Sequence, residues 1–322
     1  LGVIDSLSAG YRFLARHLEL LLIPVVLDLA IWWAPRLSVA GIFYQVADFY
    51  RQTATLAELP SDMSALAEQV ADLLQMAGEE SNLLTLLWWT GGWLLHLPSL
   101  TEQLNTTAAM ATIVISRWSS ALGLSLLFLF LGLVVGVVYL LLLARNLPIG
   151  AADKQWAWRQ LPKRTMRHAL QLVALIGLFV GALMAIFLPV SVGIALVGMI
   201  LPGITVVLSF LLSGLTMVLV LYLYFVPVGL ILDNLRLRQA IAQSFRLVRD
   251  NFWATLGLIL LSGLIMTGFQ VILVRLVTYQ PLGTLIAILV NAFIGSGLAM
   301  GLMIFYRSRV LLAQGETLPV EL

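Results

Sequence analysis

The chain runs to 322 residues, of which 61% are hydrophobic and only 11% charged, where an ordinary soluble domain carries roughly 25% charged residues. With a mean hydropathy of +1.01 and several uncharged runs longer than the ~20 residues that cross a bilayer core, a soluble globule is excluded and a polytopic membrane protein is indicated. The absence of cysteine removes disulfides, thiolate nucleophiles and Cys-ligated metals, and a net charge of +2 is too small to point to nucleic acid.

The first apolar run is Leu18 to Ala34, preceded by Arg12 and Arg16 and closed by Trp32, Trp33 and Pro35. It reads as the first span. Ser119 to Ala144 is the next, without a single charge. Ala169 to Leu232 then continues for 64 residues free of charge and histidine, too long for one helix at ~1.5 Å per residue, so it is expected to fold as a hairpin turning between Pro189 and Pro202. Trp253 to Val274 and Leu282 to Tyr306 supply a last hairpin. The expected fold class is therefore all-α, a polytopic transmembrane helix bundle of about six spans with amphipathic interfacial helices, and residues 1–322 form one integral membrane domain.

Basic residues mark the inner side of a membrane when they cluster close to span ends. Arg12 and Arg16, six cations between 145 and 168, four arginines between 233 and 251, and Arg307 with Arg309 all fall on one side of this map. Residues 36–120 instead set three arginines against eight acids. The expectation is a bacterial inner-membrane protein with both termini cytoplasmic and an extracytoplasmic acidic helical insertion, 36–118, between the first two spans.

Within the insertion, Met63, Leu66, Val70, Leu73, Leu74 and Ala77 recur at helical spacing from a cap at Ser61 to Gly78, with Asp62, Glu68 and Asp72 largely on the other face. Met63, Leu66, Val70 and Leu73 are candidates for docking a partner. Leu83 to Leu97 is uncharged but only 15 residues long, so an interfacial or re-entrant segment is expected there.

Basic amphipathic stretches precede several spans. Leu237, Ile241, Phe245, Val248 and Phe252 form a stripe with Arg236, Arg238, Arg246 and Arg249 off it, and Leu7, Tyr11, Leu14 and Leu18 do the same with Arg12 and Arg16. Such helices lie flat on a membrane while long cationic side chains reach the headgroups, so these six arginines are candidates for holding membrane lipid. Lys163 to His168 is a weaker third copy, which suggests three units of one surface helix followed by two spans.

The run Phe225-Val226-Pro227-Val228, then Asp233, Ala240, Ser244-Phe245, Val248 and Asn251-Phe252-Trp253, resembles uncharacterised bacterial multi-span membrane families and is similar to the membrane domain attached to glycerophosphoryl diester phosphodiesterases. The resemblance covers about residues 165–306. It implies a fold and a membrane address; the phosphodiesterase's soluble catalytic domain has no counterpart here, so hydrolysis does not carry over.

Asp28 lies about eleven residues into the first run, where an unpaired carboxylate costs roughly 2.5–3.5 kcal/mol. With Gln270 and Asn291 it forms the set of intramembrane polar candidates, read either as hydrogen bonds between spans or as the lining of a path. His17, His96 and His168 show no ligand spacing and are expected at the surface, so no metal or other cofactor is expected. Gly132-x-x-x-Gly136, Gly177-x-x-x-Gly181 and Gly297-x-x-x-Gly301 suit close helix packing. No nucleophile elbow, phosphate-binding glycine loop or H-E-x-x-H is present. The functional expectation is thus a scaffold or accessory subunit of a larger membrane complex, not an enzyme, whose partners are lipids and other membrane subunits; the alternative is a transporter or permease for a small substrate.

Overall fold

A computed structural model describes residues 2–56, 61–100, 104, 111–149 and 156–316. The protein is an all-α helical bundle and a multi-pass membrane protein: among the described residues five helices, Trp118–Arg145, Trp158–Gly198, Gly203–Leu232, Phe252–Val277 and Leu282–Ala313, are long and apolar enough to cross a bilayer. The chain divides into two compact units, one made of Leu1–His17, Val137–Ile265 and Gly297–Leu322, the other of Leu18–Gly136 and Met266–Ser296.

In the second unit the first apolar run departs from expectation. It forms a 3₁₀ turn, Leu18–Leu21, followed by helix α2, Leu22–Trp33. Pro24 explains the break, since its missing N–H and its ring prevent the α-helical bond to the carbonyl four residues earlier. The 12 residues of α2 extend about 18 Å, well short of a ~30 Å hydrocarbon core, so this run is not a spanning helix by itself. Strand β1, Arg36–Ser38, then pairs in parallel with β2, Thr112–Val114, and this short ladder was not anticipated from the pattern.

The insertion between the strands holds α3, Ala40–Leu56, and α4, Ser61–Glu80, packed against each other. Ala71 and Gly78 are on the buried side of α4, and a Cβ at Gly78 would come within 2.8 Å of Phe43 Cβ, so the helices ride close. Arg51 Nη2 ties them by donating to Asp72 Oδ1 at 2.8 Å and Gln75 Oε1 at 3.2 Å. Helix α5, Thr85–Leu95, has 11 residues, about 17 Å, shorter than a ~30 Å hydrocarbon core.

Helix α6, Trp118–Arg145, contributes to both units. In the first unit, α1, Val3–Leu14, presents Ser6, Leu7, Ala9, Gly10 and Leu14 inward. Its inward side meets the helix α12, Leu282–Ala313, through glycine: a Cβ on Gly10 would lie 2.5 Å from the Gly301 nitrogen and 2.7 Å from the Gly297 oxygen. The 297/301 pair therefore serves packing within the bundle, and α1 is docked on a helix with Arg12 and Arg16 left exposed. Leu298 to Ser308 of α12 are buried on every side, as befits an apolar helix at a core.

Helices α7, Leu161–Ile200, and α8, Pro202–Leu223, form the expected hairpin, with the turn at Leu201. Pro189 lies inside α7 without ending it. Lys163 to His168 belong to the first turns of this 40-residue helix, which corrects the reading of a separate third surface helix. Beyond Val173 the hairpin leaves most large apolar side chains uncovered by the rest of the chain, Met184, Leu196, Val206 and Phe210 among them; a helix of this kind has lipid as its solvent. Helices α9, Val226–Leu232, α10, Leu237–Asp250, and α11, Phe252–Val277, complete the bundle.

Candidate functional site

The first unit concentrates its polar side chains where α7, α9, α10 and α12 meet. The chain breaks between α8 and α9 because Pro227 offers no N–H, and Ser244 of α10 repairs the break: its hydroxyl donates to the Tyr222 carbonyl at 2.6 Å and accepts from the Phe225 N–H at 3.3 Å. This task turns α10 away from its expected orientation, so the buried residues are Ala240, Ser244, Leu247 and Val248 while Phe245 is partly exposed.

Asp233, just past α9, accepts from Arg307 Nη1 at 2.8 Å on one oxygen and from Tyr306 Oη at 2.7 Å on the other, with Gln243 Nε2 at 3.3 Å. Gln243 Nε2 also lies 2.8 Å from Tyr306 Oη. Both ion-pair side chains are only 9% exposed, and the pair with its added hydrogen bonds satisfies the condition under which a buried salt bridge is tolerated. Alongside, His168 Nδ1 pairs with Gln171 Oε1 at 3.0 Å, Gln171 Nε2 donates to the Leu235 carbonyl, and Arg167 Nη2 to that of Asn234. His168 is fully buried, which corrects its expected place at the surface; His17 and His96 are half-buried. His96 sits in left-handed backbone at φ +53°, and burial pushes its imidazole down to about 4. Among the described residues no three His, Asp or Glu side chains gather as a metal site.

In the second unit Asp28 is completely buried. Its carboxylate accepts from the Ser99 hydroxyl and from the Leu100 N–H at 3.1 Å and 3.2 Å, so it holds the segment after α5 against α2. Pro98 of the same segment presses on Gly295 of α12, where a Cβ would collide with the proline ring. Leu100 joins Ile288, Ala287 and Leu273 in one apolar cluster, with Val25, Leu29 and Trp32 of α2 packed on it. Asn291 lies one turn from both Ile288 and Gly295; it is fully buried and neither amide atom has a hydrogen-bond partner among the described residues. Gln270 is half-buried. Ser99 is the residue that sequence reasoning missed: a lone serine in a short polar segment carries no periodic signal.

The six lipid candidates, Arg12, Arg16, Arg236, Arg238, Arg246 and Arg249, are all exposed, with Arg249 paired to Asp250 at 3.1 Å. On α4, Met63, Leu66 and Leu73 are 53%, 58% and 59% exposed, and Val70 is half-buried. The chain matches no protein-family model, no curated protein and no solved structure.

Proposed function

We propose that the protein is a non-catalytic component of the bacterial inner membrane, a scaffold or accessory subunit of a larger complex. The observation that carries this reading is the outer side of α4. Its inner side is used up on α3, yet Met63, Leu66, Leu73 and Met76 stand more than half exposed on a segment that also carries Glu68, Asp72, Glu79 and Glu80. An apolar stripe framed by charge suits a second protein subunit. Burial recovers roughly 25 cal/mol per Å² of apolar surface. The exposed arginines of α1 and α10 complement this by gripping anionic headgroups, at about 1 kcal/mol for each one near the surface.

The test is Leu66→Asp combined with Val70→Asp in the full chain, extracted gently and weighed by native mass spectrometry. The expected result is a stoichiometric subunit bound to the wild type and lost from the double variant, with the variant still folded. A wild type that runs alone, or one whose bound subunit ignores the substitutions, overturns the reading.

A second reading, a transporter or permease for a small substrate, is favoured by Asn291, whose buried amide has no partner. Leaving such a group unsatisfied costs about 1–3 kcal/mol, so Asn291→Leu is expected to leave the melting temperature unchanged or raise it. If proteoliposomes take up a small cation and this flux vanishes in both Asn291→Leu and Asp28→Asn, the amide and carboxylate serve transport, and this second reading displaces the first.

A further inference from the structure

Arg145 ends α6 and is left with an unusual arrangement. Its guanidinium carbon lies 4.1 Å from the Trp158 ring centre and 5.1 Å from that of Trp156. Arg164, in the first turn of α7, lies 5.5 Å from the same Trp156 ring, so two cations share one indole. Trp156 is buried and Trp158 is 58% exposed. The Arg145 Nη1 atom is buried and meets no hydrogen-bond acceptor among the described residues. Thr165, next to Arg164, buries a hydroxyl that likewise has no partner. From 145 to 170 the chain carries six cations, Arg145, Lys154, Arg159, Lys163, Arg164 and Arg167, against one carboxylate, Asp153.

An indole stack fixes the plane of a guanidinium while leaving its N–H edge to bind. That edge matches the oxygens of phosphate, which accept two parallel charge-assisted bonds. The location fits as well, because tryptophan gathers at the headgroup level of a bilayer and Arg145 closes a 28-residue apolar helix. We propose that Arg145, set on Trp156 and Trp158 with Arg164 beside it, binds the phosphate of a phosphate ester. The ester is either the headgroup of an anionic phospholipid or a soluble phosphomonoester. This site is separate from the six exposed arginines and needs neither reading of function above.

The test titrates the purified full chain in mild detergent with dioleoylphosphatidylglycerol, with dioleoylglycerol as the phosphate-free lipid, and with glycerol 3-phosphate as the soluble ester, following bound lipid by native mass spectrometry and ester by calorimetry. The phosphate lipid is expected to bind at least about tenfold more tightly than the diglyceride, and Arg145→Gln to erase that preference, as loss of one charge-assisted contact would. Trp158→Leu keeps every charge and alters an exposed ring, and is expected to weaken binding about threefold by freeing the guanidinium. Arg275→Gln, which removes an equal charge elsewhere, is expected to change nothing. Tight binding of the lipid alone supports the site with the bilayer as source; equal binding of glycerol 3-phosphate supports it with an aqueous source. A folded Arg145→Gln or Trp158→Leu protein with wild-type affinity overturns the proposal, as does equal binding of the two lipids.

Discussion

Asp233→Ala is expected to cost the protein about 3–5 kcal/mol, the loss found when one partner is removed from a buried ion pair. Arg307 would keep its charge at 9% exposure after losing the Asp233 carboxylate, and Tyr306 and Gln243 would lose a shared acceptor. The change reaches the backbone too, because Tyr306 Oη lies 2.9 Å from where a Cβ of Gly229 would be, so α9 and α12 are fitted around that phenol. The measurement is thermal unfolding of the detergent-solubilised chain, with size-exclusion recovery as a second readout. Tyr306→Phe, which keeps the ion pair, is expected to lose only about 1 kcal/mol. Replacing both charges by Asp233→Leu with Arg307→Met is expected to recover most of the single-variant loss, since an apolar pair avoids the uncompensated charge. An Asp233→Ala protein that melts within a degree of wild type would show that the ion pair contributes nothing to the fold.

Gly10→Leu is expected to prevent α1 from docking. Even alanine would place a methyl 2.5–2.8 Å from the Gly301 nitrogen, the Gly297 oxygen and the Gly301 Cα, all of them backbone and unable to rotate away. Overpacking of this sort costs about 1–3 kcal/mol for a small increment and more for a large one, so alanine should lower the melting temperature and leucine should expose the α1 segment to proteolysis. Gly297→Ala drives a methyl into the Tyr11 ring and should behave like Gly10→Ala. Gly177 and Gly181 are the control, because a Cβ at either meets nothing within 4 Å. Alanine there should be neutral or stabilising by up to about 1 kcal/mol through helix propensity. If Gly10→Ala and Gly177→Ala have the same effect, close approach at the 297/301 pair is not what holds α1.

The five long helices were legible because a bilayer imposes its signal on every residue in turn: a run without charge has one interpretation. The bounds of α4 were legible for a similar reason, with Ser61 at its start and apolar positions at a single period. The first run misled because composition reports solvent and not continuity, and one proline at position 24 outweighed an otherwise apolar stretch. The three glycine pairs look alike in sequence, yet 297/301 meets α1 while 177/181 faces open space; what a small residue does depends on what arrives opposite. The polar sites were the least legible. Asp28 was conspicuous as a lone acid, but its partner Ser99 is 71 positions away, and Arg307 is 74 from Asp233. His168 looked solvated because it sits among arginines in sequence, whereas those arginines radiate from a helix whose other side is packed. Phe225 and Ser244 meet at the α8–α9 break and Asp233 carries the ion pair, local tasks that no periodicity marks.

The docking of α1 on α12 has a consequence for biosynthesis. Gly10 leaves the ribosome nearly three hundred residues ahead of Gly301, so at ~5–20 residues per second its seat is not made for roughly 15–60 s. Throughout that interval the inward side of α1 must be sheltered elsewhere. Translation that stalls before residue 297 would therefore strand a nascent chain whose α1 segment has no berth, a natural substrate for membrane quality control.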